Sequence, residues 1–344
     1  INPSNVLTLN SSYQREAPLA YNSFVANRIK NDFVHGLSTE GIFNNELSYS
    51  LTTARFTARL SGYYTRFTDQ GEQTAFYNDS EARFTYLTMR GVEKEHYGIE
   101  AAAIWNVTSA LSFTFIGSMG DALYTNNPYA TITYESQDEV SMTYTNPVTK
   151  KQDALLVIAD GCRVSSTPLT ALSLGIDYNV NGWFFGANVN YYDRVYVDFS
   201  EFRRLSNILT PYISSGAVDA NGNPSFGVDE ATLATNGGIL YNEDGSIYKA
   251  QTAEQTRVKG GFLVALNVGR YIRLKNGRSL SLNLTVNNLL NNTNMSTGGY
   301  EQNRGDYYYD NGEQGDARTY VFSKNPKLYY ANAFNAFFNV AYKF

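Results

Sequence analysis

The chain has 344 residues, 17% of them charged and 43% hydrophobic, with a formal net charge of −5. That is too apolar for a disordered chain, and the acidic balance argues against a nucleic-acid partner. One Cys excludes an internal disulfide framework and a cysteine zinc cluster, two His leave little for histidine-based catalysis, and 28 Tyr, 20 Phe and 27 Gly favour strands and turns over helices.

In chain order, the sequence opens at Ile1 rather than Met, which fits a mature or cut terminus, and residues 1–39 read as an extracellular loop segment. The first clear alternation spans 40–52, where Phe43, Leu47, Tyr49 and Leu51 interleave with Asn44, Glu46, Ser48 and Ser50. Period-2 patterning marks a strand with one apolar and one wet face. A tight turn at Thr53 leads to a strand over 54–67, and a long connection over 68–93 follows. Strand 94–107 sets Tyr97, Ile99, Ala101, Ala103 and Trp105 against His96, Gly98, Glu100 and Asn106, then turns at Thr108 into 109–124. Beyond a long connection at 125–169 come 170–180 and 183–197, joined by Asn181-Gly182, a hairpin signal. The connection 198–255 leads to 256–271, a second Asn-Gly turn lies between Ile272 and Gly277, and 278–290 alternates Leu280, Leu282, Leu284 and Val286 with Ser and Asn. After 291–331 the last strand, 332–344, carries Phe334, Ala336, Phe338, Val340, Tyr342 and Phe344 on one face.

These are about nine strands of roughly 10–14 residues each, where soluble strands average about 5–6 and membrane-barrel strands about 9–11. No stretch approaches the roughly 20 apolar residues that a membrane helix needs. Short turns alternate with long connections, the pattern of an outer-membrane barrel with short periplasmic turns and long extracellular loops. Trp105 and Trp183 both fall beside short turns, where an aromatic girdle would sit. The expected fold is therefore all-β, a transmembrane antiparallel β-barrel portion in the outer membrane of a Gram-negative bacterium, with the C-terminus periplasmic; a soluble β-sandwich is the weaker reading. Counted back from the C-terminus, the first of nine strands starts outside. Complete bacterial barrels have an even strand number, so 40–344 reads as the C-terminal part of a larger barrel, with edges at 40–52 and 332–344 that must pair elsewhere.

The wet faces, rich in Asn, Ser, Thr and Glu with Arg55 and Arg59 among them, suit a hydrated, plugged lumen. Tyr300, Tyr307, Tyr308 and Tyr309 with Asp310 form the candidate substrate-binding cluster, since tyrosine combines a flat apolar ring with a hydroxyl suited to sugars or peptides. Packing within the loop, or a partner protein, would explain the same residues. Asp219, Asn221, Asn223 and Glu230 match a calcium-loop spacing, but Pro224 stands where glycine is required, so a β-turn is the simpler reading and no metal is expected. Cys162 reads as a free thiol, His35 and His96 are isolated, and no catalytic constellation stands out: the chain is not expected to be an enzyme and calls for no cofactor.

The ending NAFNAFFNVAYKF at 332–344, VNNLLNNT at 286–293 and KEHYGIE at 94–100 resemble the C-terminal barrel region of SusC-like TonB-dependent transporters of Bacteroidota. GYYTRFTDQGEQTAFYND at 62–79 and the Asn-Pro after ALYT fit the same pattern, so the resemblance runs from about residue 20 to Phe344. It implies a 22-stranded barrel whose plug and first half lie outside this stretch. It also implies TonB-dependent active import of large nutrients, oligosaccharides or oligopeptides, with the TonB complex, a SusD-like surface lipoprotein lid and outer-membrane lipid as partners. The alternative is a passive porin or a surface adhesin barrel.

Overall fold

The computed structural model describes residues 3–78, 83–135, 140–145, 151–165, 167–209, 239–241, 247–250, 255–303, 307–310, 313–317 and 326–344. Ten long strands hydrogen-bond in sequence order into one antiparallel ladder. They are β1 (Asn5–Glu16), β2 (Glu40–Thr52), β3 (Phe56–Asn78), β4 (Arg83–Asn106), β5 (Leu111–Tyr124), β6 (Thr170–Val180), β7 (Trp183–Asp193), β8 (Gly261–Arg273), β9 (Ser279–Asn287) and β10 (Asn335–Lys343). Helix among the described residues is confined to Ala20–Ser23, Ser206–Leu209 and a single 3-10 turn at Phe202–Arg204. The fold is all-β.

β2 and β6 have the bounds that their alternation predicts. Three expectations are corrected. First, the segment 1–39 is not all loop: β1 pairs with the whole of β2, from Asn5 opposite Leu51 to Glu16 opposite Glu40. Leu7, Leu9 and Tyr13 alternate there with Thr8, Asn10 and Ser12, but Ser11 and Arg15 dilute the apolar set and hide the period. Among the described residues the ladder therefore has ten long strands rather than nine, both of its outer strands have an end at the short turns, and the parity argument falls. Second, the edge expected at 40–52 is covered. The outer strands are β1 and β10, and no ladder joins them among the described residues. Third, in the expected connection 68–93 the described residues 68–78 and 83–93 are not loop but the far halves of two paired strands, with β3 and β4 running to 23 and 24 residues. Register shifts between Phe67 and Gln70 and between Gln70 and Glu72 break the alternation there, with Asp69 and Gly91 at positive φ, which is why the sequence pattern fades.

The short turns follow from local chemistry. Asn181 (φ 48°) and Gly182 (φ 77°), like Asn276 (φ 59°) and Gly277 (φ 74°), both take the left-handed backbone that a two-residue hairpin needs to match strand twist. A Cβ on Gly182 would stand 2.6 Å from the Tyr271 carbonyl oxygen.

Register then sorts side chains onto two faces. Glu46, Tyr63 and Gly98 are successive partners across β2, β3 and β4, and Ser48, Ser61, Glu100 and Ser118 form the next row, continuing into β5. The opposite face carries Leu47, Tyr49, Ile99, Phe113, Leu174, Val189 and Phe338, and they are not covered: Ile99, Leu174 and Phe338 are 59%, 60% and 61% exposed. The dry core lies instead at the long-loop end. There Leu87, Met89 and Val92 of β4 pack against Leu155, Val157, Ala159, Cys162, Phe199 and Leu205 from two connections, with Ala130 and Ile132 from Tyr129–Tyr134, which pairs with the far half of β4.

Candidate functional site

Two features occupy the wet side of the sheet. The first is a polar wall. Strand alternation places Asn44, Glu46, Arg59, Ser61, Tyr63, Glu100 and Ser118 around a cleft of about 560 Å³. Arg59 donates to Glu46 at 2.6 Å and to Ser61 Oγ at 3.1 Å, and Thr65 Oγ1 donates to Asn44 at 2.7 Å. Gly98 and Gly120 are register partners, and the Tyr63 hydroxyl lies over both: a Cβ on either would meet it at 2.8 and 2.9 Å. Phe184 likewise lies over its partner Gly269, buried beneath the ring. Large rings are laid flat along the wall because glycine opposite them leaves room.

The second feature is a cap at the long-loop end. Lys94 and Tyr124 are partners on the polar face, and both reach Glu72 on the far half of β3: Lys94 as an ion pair, Tyr124 by donating its hydroxyl proton at 2.9 Å. Tyr124 stacks edge-on against Phe199 at 5.1 Å, which seats the 195–206 segment over this end of the wall. From there Arg204 forms an ion pair with Glu301 in which both side chains are essentially buried, 1% and 0% exposed. Arg204 Nη2 donates to Glu301 Oε1 at 3.0 Å, Ser200 N to Glu301 Oε2 at 2.9 Å, and Glu301 N to the Asp198 carbonyl at 2.8 Å. A buried carboxylate needs donors such as Arg204 and Ser200 N supply. Asn126 and Asn127 tie the connection after β5 to its neighbours, with Asn127 Oδ1 accepting from Ala159 N and Asp160 N at 3.0 Å each. Burial, with Asp198 and Glu72 nearby, pushes the Glu201 carboxyl up to about 8, and burial also raises the Cys162 thiol. Cys162 is buried and free.

The candidate residues from the sequence are distributed unevenly. Arg59 is on the wall as expected, whereas Arg55 sits in the short turn, where its carbonyl accepts from Asn106 N at 2.8 Å. Tyr300 ends the strand Ser296–Tyr300, is 42% exposed and faces Tyr329 with ring centroids 6.1 Å apart. Tyr307, Tyr308, Tyr309 and Asp310 form a separate short strand paired with Glu313–Ala317. Asp219, Asn221, Asn223 and Glu230 lie outside the described residues. The Arg204–Glu301 lock and the Glu72–Lys94–Tyr124 group went unseen in the sequence. Their members are far apart in the chain, and the signal present there was a lone Arg203-Arg204 doublet in a connection of mixed character.

No protein-family model and no curated protein matches the sequence. Solved structures match the fold. The copper transporter OprC is 12% identical over 98% of this chain and 38% of its own, with a TM-score of 0.51. The ferric citrate transporter FecA in its unliganded form is 14% identical over 99% of this chain and 36% of its own, at 0.49. The ferric-catecholate import receptor Fiu from K12 E. coli is 11% identical over 100% and 34%, at 0.49. At such identities the likeness is one of fold, and the chain spans less than two fifths of the length of these proteins.

Proposed function

We propose that this chain forms part of the wall and the loop cap of a barrel that actively imports large nutrients across the outer membrane of a Gram-negative bacterium. The observation that carries this reading is the pairing of an uncovered apolar face with a hydrophilic wall closed at one end by a folded cap. A water-soluble protein rarely leaves so broad an apolar surface bare, while a barrel wall in hydrocarbon requires it. In that setting the backbone groups along the open sides of β1 and β10 must be paired, so strands from the rest of a larger barrel, of the 22-stranded type, would meet them and a plug would fill the wall's cleft. A cap with its own core and buried ion pair suits a gated path better than an open pore, which favours import over the porin reading. Energy would come through the TonB complex, and a SusD-like lipoprotein would cover the cap.

Oligosaccharides or oligopeptides are the cargo class that the loop tyrosines, Tyr300 and Tyr307 to Tyr309 with Asp310, would suit. Copper, the cargo named for one fold neighbour, makes metals, free or chelated, the second class to test. The test is uptake in cells lacking the gene, complemented with wild type, using labelled oligosaccharides, labelled peptides and metals, free or chelated, in parallel. Uptake of one class should depend on the gene and stop with a protonophore. Gene-dependent uptake that ignores the protonophore would establish the porin instead.

A further inference from the structure

On the apolar face near the short turns, register partners form two lateral rows. Trp105, Phe113, Ile176 and Ala187 are one; Ala103, Phe115, Leu174 and Val189 are the next, one step further from the turns. Small residues at Ala103 and Ala187 beside large ones leave a trough of about 450 Å³. Four residues nearer the turn than Ala187, about 13 Å at roughly 3.3 Å per residue, Trp183 is the partner of Arg270. The guanidinium lies 4.8 Å from the Trp183 ring centroid, and Nη1 donates to the Asn181 carbonyl at 3.0 Å.

Behind Arg270 the β8–β9 turn exposes Lys275 and Arg278, while Arg273 and Lys343, in one row with Ser279, lie at the same end on the polar face. The stretch 255–300 holds Arg257, Lys259, Arg270, Arg273, Lys275 and Arg278 and not one Asp or Glu, in a chain whose net charge is −5. Among the described residues no carboxylate pairs with Arg270, Arg273, Lys275 or Arg278. The cationic charge at this end is thus left for something outside the sheet.

We propose that the trough and the basic turn together bind an anionic glycerophospholipid from the leaflet at the short-turn end. One acyl chain lies along the trough between Phe113, Phe115, Leu174 and Ile176, and the phosphate meets Arg270, with Lys275 and Arg278 of the exposed turn adding to the field. Charge complementarity selects the occupant: a zwitterionic lipid would fill the trough equally well but gain little from the cluster, and free phosphate would leave the trough empty. Trp183 holds the guanidinium at the depth where amphipathic rings sit at an interface. This inference rests on the reading of the sheet as membrane-spanning.

The test uses the protein as extracted from its membrane with the chains that accompany it, stripped of lipid in a nonionic detergent and titrated with brominated phosphatidylglycerol or brominated phosphatidylcholine. Bromine on an acyl chain quenches nearby indoles, and Trp105 and Trp183 flank the trough; subtracting Trp105→Phe and Trp183→Phe isolates their signal. Phosphatidylglycerol should quench at a lower lipid ratio than phosphatidylcholine. The preference should fall about fivefold in Arg270→Gln, be restored in Arg270→Lys, and shrink at high salt. Ala187→Phe, which fills the trough, should weaken quenching by both lipids. Equal quenching by the two lipids, an unchanged preference in Arg270→Gln with its heat-modifiable mobility intact, or competition by inorganic phosphate at millimolar concentration would overturn the proposal. Extraction of the chain without detergent would instead overturn the membrane reading beneath it.

Discussion

The sheet and the cap are built on opposite principles. In the cap, Leu87, Met89, Val92, Leu155, Val157 and Leu205 are almost wholly removed from solvent, and a buried arginine meets a buried glutamate. That is how a globular protein is held together in water: apolar burial supplies the stabilisation, and any charge taken inside must be fully paired. Towards the short turns the sheet between β1 and β10 has neither device. Its large apolar side chains point away from the chain, and its ion pairs, such as Glu46 with Arg59, stay accessible. The sheet is held by its ladder and by the solvent it is meant to face, while the cap is held by its own core. The same sequence therefore encodes two environments, and damage to one region should leave the other standing.

The largest expected effect separates them directly. Arg204→Ala leaves Glu301 buried without its partner and should destabilise the cap by about 3–5 kcal/mol. Limited proteolysis and hydrogen exchange over 195–206 would report it, with the heat-modifiable mobility of the sheet unchanged. Loss of sheet folding as well would break the comparison. Replacing both partners with apolar residues of similar volume should recover most of the stability.

A smaller effect is expected from the sheet's two faces. Leu174→Arg places a charge on the uncovered apolar face and should cost about 2–4 kcal/mol in lipid bilayers. Ser173→Arg, one residue away on the polar face, should stay within about 0.5 kcal/mol. Urea titrations of the variants folded into liposomes measure both, and equal costs would mean that the apolar face does not meet hydrocarbon.

A further effect is a pH dependence confined to the cap. The Glu201 carboxyl sits at about 8 in the folded protein against an ordinary 4.5. Because the folded state holds the proton more tightly, stability is fully present below about 4.5 and is lost as the pH rises through about 8. Glu201→Gln should flatten that slope. Proteolysis rates of the cap compared at pH 5 and pH 8.5 give the answer, and an unchanged slope in the variant would assign the dependence to another group.

How much of this was legible in the sequence varies by element. Strands such as β2, β6 and β7 announced themselves because each side chain answers to a single question, water or hydrocarbon, and the answer alternates. The Asn-Gly turns were equally plain, since their backbone conformation is set by two adjacent residues. β1 stayed hidden because Ser11 and Arg15 interrupt its apolar face, and the far halves of β3 and β4 because bulges shift the period midway. The site was less legible than the fold: Arg59 could be placed on the wall by parity, whereas the proposed tyrosine cluster divides between two separate short strands.

The sequence alone determined the all-β class, the two faces of the sheet and the end at which its turns are short, because those depend on neighbours one or two residues apart. Tertiary structure decided the strand count, the outer strands of the ladder, and the cap with its Arg204–Glu301 lock. The physical reason is range. Alternation and turn chemistry are local, but the buried Glu301 carboxylate is tolerable through donors from Ser200 and Arg204, far away in the chain, and nothing in the linear order of residues records that they meet.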